Sequence, residues 1–131
     1  MIVDDLYRFA EQEGHDIVTF SLPETESIAI QFDTGKCCIG LDVGLHGIDL
    51  LEHLAHEVGH CETGTFYGID TDAIVRAKCE HKANRWAYEH LVPYADLFQA
   101  YREGYRSVWD LAEYFGISCE MMYKILKEYY R

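Results

Sequence analysis

Proline is scarce in this chain, with two among 131 residues, and positive charge is nearly missing from its first half. The low proline content and an apolar share of 49 % exclude a disordered or low-complexity chain. There is no apolar run long enough to span a bilayer, which would take roughly 18 residues. There is also no basic-then-apolar leader, because Met1-Ile2-Val3-Asp4-Asp5 opens acidic. Neither a signal peptide nor a membrane span is therefore expected, and the cytoplasm is the expected compartment. The five cysteines, Cys37, Cys38, Cys61, Cys79 and Cys119, contain no C-x-x-C pair. An odd count without a leader predicts reduced thiols rather than a disulfide framework, most of them acting as small core hydrophobes.

The net charge is −12, and residues 1–60 carry 12 acids against only Arg8 and Lys36. Such a front half is repelled by phosphate backbones, which disfavours a nucleic-acid role and makes a basic protein the expected macromolecular partner. Charge that serves solubility alone is the simpler alternative.

The length predicts one domain over 1–131, with a sheet and active-site helices in 1–93 and a helical tail in 94–131. Residues 3–13 read as an amphipathic helix stopped by Gly14. Ser27 to Phe32 and Cys37 to Leu41 flank the turn signal Asp33-Thr34-Gly35-Lys36 and read as a hairpin. Ile17 to Phe20 is a possible third strand. Helices follow at about 48–62, 73–91, 94–103, 107–115 and 118–130, separated by Gly, Pro and Ser signals.

The first of these helices carries His56-Glu57-Val58-Gly59-His60. Four residues of helix rotate by about 400°, so His56 and His60 sit only about 40° apart on one face, as two ligands of one zinc ion must. Glu57 lies one step round the helix. There it can take a proton from water at the metal, the general-base position of a metallopeptidase. The candidates for a third ligand are Glu62, Asp70, Asp72, Glu80, His81, Glu89 and His90. Ala73, Ile74, Ala77, Ala83, Trp86 and Ala87 mark the expected buried face of the next helix; Glu80 falls on that face and His81 at its margin. A carboxylate placed there calls for a cation. Asn84, one turn further on, is positioned to hydrogen-bond a ligand imidazole.

H-E-V-G-H, followed by a helix with E-x-x-A-N-x-W-A and the exit His90-Leu91-Val92-Pro93, resembles the ImmA/IrrE family of zinc peptidases associated with phages and mobile elements. The likeness covers roughly residues 35–95. It implies His56, His60 and Glu80 as zinc ligands and Glu57 as general base. The fold it implies is α+β and zincin-like: a short, mostly antiparallel sheet, the H-E-x-x-H helix, a second ligand-bearing helix and a helical tail. Lys82, Trp86 and the H-L-V-P exit depart from the family pattern, but none removes a ligand or the base. The implied activity is site-specific cleavage of a helix-turn-helix repressor of a phage or mobile element, an anti-repressor role. The scissile segment is expected to lie extended along the strand near Cys37–Leu41.

Two rival readings come from other classes. One is a zinc-containing regulatory module that binds a partner without cutting it. The other is a DNA-binding tail, because Leu111-Ala112-Glu113-Tyr114-Phe115-Gly116-Ile117-Ser118 resembles the first helix and turn of a helix-turn-helix. Its second helix, from Cys119, starts without Arg, Asn or Gln for base edges and is expected to be a packing unit. His15, His46, His53, His81 and His90, with Glu52 and Glu62, are expected at the surface or in capping roles. Cys61 is expected in the core, and Tyr67 and Tyr88 are candidate oxyanion donors.

Overall fold

A computed structural model describes residues 1–130. In chain order the elements are α1 (Val3–Gln12), β1 (Asp16–Phe20), β2 (Ser27–Gln31), β3 (Cys37–Asp42), α2 (Gly47–Thr63), α3 (Ala73–Leu91), α4 (Tyr94–Arg102), α5 (Val108–Phe115) and α6 (Cys119–Tyr129). The fold is α+β, and no helix among the described residues is long and apolar enough to cross a membrane.

The sheet departs from expectation in two respects. Its order is β1-β3-β2, and β3 pairs antiparallel with β2 but parallel with β1. It is therefore mixed rather than mostly antiparallel. The reason lies in the segment between β1 and β2, which crosses the end of β3. Asp42 fastens this crossing by accepting from the backbone N–H of Leu22 (2.6 Å) and Gly44 (2.9 Å), bonds that hold its carboxyl below the ordinary range. Val43 N–H closes the same end on Phe20 O at 3.0 Å. The second departure follows from the first. With a neighbour on each side, Cys37–Leu41 has no free edge and cannot receive an added strand. The edge strand beside α2 is β2.

Leu51, Leu54, Ala55 and Val58 of α2 lie in one buried cluster with Ile39 and Leu41 of β3 and Ala87 and Leu91 of α3. The same cluster extends to Leu6 of α1 and to Leu111, Met122 and Ile125 of the tail. The tail is also tied by polar bonds. Glu52, expected to be solvated, accepts from Ser118 N–H (2.7 Å) and Ser118 Oγ–H (3.1 Å), and Tyr129 donates to Val92 O (2.8 Å). The apolar face of α6 is thereby turned into the core.

Helix α3 is buried only in its second half. Ala83 and Ala87 are inside, whereas Ala73, Ile74 and Ala77 are exposed, Ile74 by 66 %. Its first half overhangs a cleft instead of covering the core, so Glu80 stands at the cleft wall and not among apolar side chains.

The thiol expectation fails for one pair. Cys37 and Cys61 form a disulfide, with Cα atoms 5.9 Å apart, that joins the start of β3 to the end of α2. Only the packing of helix on sheet brings them together, so neither spacing nor motif could announce the pair. By chain entropy, a link across 24 residues contributes about 3.5 kcal/mol. Cys38, Cys79 and Cys119 are free.

Candidate metal centre

Helix α2 ends at Gly64, whose left-handed backbone (φ 65°, ψ 30°) turns the chain back against the last helical turn. That reversal sets Thr65 beneath His60, where His60 Nδ1 donates to Thr65 O at 2.7 Å, with Thr65 Oγ1 at 3.1 Å. From the neighbouring helix, Asn84 Oδ1 accepts from His56 Nδ1 at 2.8 Å. Each Nδ1 is used as a donor to an acceptor oxygen, so in the neutral ring each Nε2 presents its lone pair.

The two Nε2 atoms stand 3.1 Å apart, and Glu80 Oε2 lies 2.9 Å from that of His56 and 3.3 Å from that of His60. Donors held tetrahedrally at 2.0–2.1 Å from a zinc ion are about 3.3 Å from one another, so the triangle has the size such an ion needs. His56, His60 and Glu80 are a group that could hold a metal ion. Three lone-pair donors converging with their other ring nitrogens already committed is an arrangement suited to a cation.

The close approach of α3 to α2 depends on Gly59. A Cβ there would lie 2.5 Å from the backbone oxygen of Ala83, so only glycine lets the helices meet at this point. Ala83 precedes Asn84 and is three residues beyond Glu80, and the contact therefore sets how far both reach toward the histidines.

Tyr67 donates its hydroxyl to Glu80 Oε1, and this bond, followed by burial, pushes its own pKa up to about 12. Burial works to raise the Glu80 carboxyl. The Tyr67 hydroxyl and the neighbouring His56 and His60 outweigh it and hold that carboxyl below its ordinary range. Tyr67 thus stands in the cleft, as a candidate oxyanion donor should, whereas Tyr88 is buried in the core.

Glu57 is 6 % exposed and outside the triangle. It accepts from Ser27 Oγ–H at 2.6 Å; Ser27 Oγ is also 2.9 Å from His53 Nδ1, and His53 Nε2 is 3.0 Å from Glu26 Oε2. This file of polar groups leads from the surface to Glu57 and was not foreseen. The only hint in the chain is that His53 precedes Glu57 by four residues and so shares its helix face. Thr65 was also missed, since nothing beyond its place after Gly64 marks it.

Ser27, His53, His56, Glu57, His60, Thr65, Tyr67 and Glu80 open onto one cleft of about 1010 Å³. One wall is β2, residues Ser27 to Gln31; the other carries Tyr67, Arg76 and Glu80. The remaining histidines lie elsewhere. His90 stacks on Trp86 (3.7 Å between ring centroids), His81 pairs with Glu128 (3.5 Å), His46 contacts Gly44 O (3.0 Å), and His15 bonds Glu62 (2.7 Å).

Asn84→Ala removes the acceptor that orients His56. Its metal affinity is expected to fall about 10- to 100-fold with the fold retained. Competition against a chromogenic chelator measures the change, and an unaltered affinity would show that His56 needs no such support.

Comparison with solved structures finds the same fold in a Mycobacterium tuberculosis transcriptional regulator, with a TM-score of 0.64 at 16 % identity. The match covers 89 % of this chain, which spans 38 % of that structure's chain. No curated protein matches. The model of a peptidase family, Peptidase_M78, described as the IrrE N-terminal-like domain, matches residues 10–127. The H-E-x-x-H helix, the converging carboxylate of α3 and this match over nearly the whole chain agree: the chain belongs to the IrrE N-terminal-like (M78) peptidase family.

Proposed function

We propose that this protein is a zinc-dependent endopeptidase that cuts an extended segment of a protein laid along β2. The observation that carries this reading is the meeting, in one cleft, of a three-donor metal group, a buried carboxylate beside it and the open edge of a sheet. His56, His60 and Glu80 would hold the metal. Zinc bound there would polarise the scissile carbonyl and bring the pKa of water toward about 7.

The rest falls to the chain's own groups. The unpaired backbone edge of β2 would bind the substrate main chain as an added strand, which sets its register against the donors. Glu57, pinned by Ser27 on that same strand, would take a proton from the attacking water and return it to the leaving amine. Because Ser27 belongs both to the binding edge and to the support of Glu57, the position of the base is coupled to that of the substrate. Tyr67 lines the opposite wall, where its hydroxyl, now on Glu80, is in place to turn toward a developing oxyanion.

The resemblance to phage-associated peptidases, together with a net charge of −12, supports a basic helix-turn-helix repressor as the substrate. Incubating the zinc-loaded protein with a basic helix-turn-helix repressor should produce two fragments of complementary mass, and a chelator should abolish them. Stable binding of that repressor without fragments would overturn the peptidase reading in favour of a regulator that does not cut.

A further inference from the structure

Cys37, Cys61 and His15 do not line the cleft, yet they form a second cluster of metal-ligating atoms. Their sulfur and imidazole atoms all lie within 4.8 Å of one another. They come from three segments: the start of β3, the end of α2 and the residue before β1. We propose that, once the Cys37–Cys61 disulfide is reduced, Cys37, Cys61 and His15 bind a second zinc-like cation, with Glu62 holding the His15 imidazole in place.

The backbone already allows this. Two sulfurs on one tetrahedral zinc, each at 2.3 Å, are about 3.8 Å apart, which Cα atoms separated by 5.9 Å accommodate through side-chain rotation. His15 Nε2 donates to Glu62 Oε2 at 2.7 Å, so in the neutral ring Nδ1 keeps the lone pair for a cation and Glu62 orients the imidazole. The cluster is nearly enclosed. Cys37 is 3 % exposed and the His15 side chain 11 %, while Cys61 is only partly buried and leaves a way in. Two thiolates and an imidazole select zinc over magnesium or calcium, and they differ in kind from the two imidazoles and carboxylate of the cleft.

Disulfide and metal are alternatives because they use the same sulfurs. A dithiol reductant delivers two electrons and two protons and closes to its own disulfide, while the Cys37–Cys61 bond opens to two thiols. The cation then displaces the two thiol protons to water. Either state joins α2 to β3 directly after His60, so the tie between helix and sheet persists in both.

The test uses the full chain, reduced with a phosphine, which takes oxygen from water as it delivers the same electrons and leaves no thiol to compete for metal. Zinc content should rise from about one equivalent to about two on reduction, and Glu80→Ala should retain the reduction-dependent equivalent. Cobalt(II) added to the reduced chain should give a thiolate-to-metal charge-transfer band that is absent before reduction and lost in Cys61→Ser. His15→Ala should raise the cobalt concentration for half-saturation at least about 10-fold, a comparison that decides the matter if Cys61→Ser fails to fold. A reduced, folded chain without the band would overturn the proposal. So would a band undiminished in Cys61→Ser, which would come from Cys38, Cys79 or Cys119, or a half-saturation unchanged in His15→Ala.

Discussion

Glu57→Gln is expected to bind metal and fold as the parent does while cleaving its substrate about 100- to 10,000-fold more slowly, the range for loss of a positioned general base. The substitution isolates one property. Gln has the same length and keeps a carbonyl oxygen that can accept the Ser27 hydroxyl, now 2.6 Å from Glu57 Oε2, so the side chain stays where it is. What it loses is the ability to take a proton. Glu57 lies outside the triangle of His56, His60 and Glu80, so metal stoichiometry should not change. Three measurements on one preparation decide the matter: metal content, circular dichroism and the rate of fragment formation by mass spectrometry. Cleavage at the parental rate would remove Glu57 from the mechanism. Lost cleavage with an undiminished biological effect would mean that binding, not cutting, is the function.

Gly59→Ala should have the largest effect on structure. The new methyl would sit 2.5 Å from the Ala83 carbonyl oxygen and 3.2 Å from its carbon, against backbone that cannot rotate away. Helix α3 must therefore move outward, at a cost of roughly 1–3 kcal/mol for overpacking a filled contact. The displacement carries Glu80 and Asn84 with it and widens a triangle whose sides are now 2.9, 3.1 and 3.3 Å. Metal affinity should fall about 10-fold or more, as it does when ligand support is disturbed. Urea denaturation of the metal-free protein reads the first effect and chelator competition the second. A variant equal to the parent in both would show that the interhelical contact is looser than 2.5 Å implies. Loss of affinity without loss of stability would localise the movement to the metal group.

Much of this was legible because it is local. Helix boundaries follow Gly, Pro and capping residues close in sequence, and α3 was expected and found at 73–91. The meeting of His56 and His60 follows from helix geometry alone. Glu80 and Asn84 were also readable, by spacing along one helix and by family resemblance, although the argument that put Glu80 on a buried face was mistaken. Ala73, Ile74 and Ala77 look like a core stripe, yet the first half of α3 runs past the core.

The strand order carried a weak signal. Cys37-Cys38-Ile39-Gly40-Leu41 is an unbroken run of small and apolar residues, as a central strand tends to be, whereas Ser27-Ile28-Ala29-Ile30-Gln31 is bounded by polar residues, as an edge allows. A hairpin pattern cannot say on which side a third strand will join, and here it joined the second arm. That choice left β2, not β3, as the open edge beside the cleft.

The sequence by itself determined the chemistry available: two imidazoles and a carboxylate on one helix, a second carboxylate and an amide on the next, and a strongly acidic charge balance. These depend on residue type and on the helical repeat, both of which act over a few positions. Only the tertiary structure decided which groups from distant segments meet. It set Ser27 against Glu57, Thr65 beneath His60, and Cys37 against Cys61 beside His15. Those meetings depend on how helices and strands pack, and packing is a property of the whole core that no short stretch of sequence encodes.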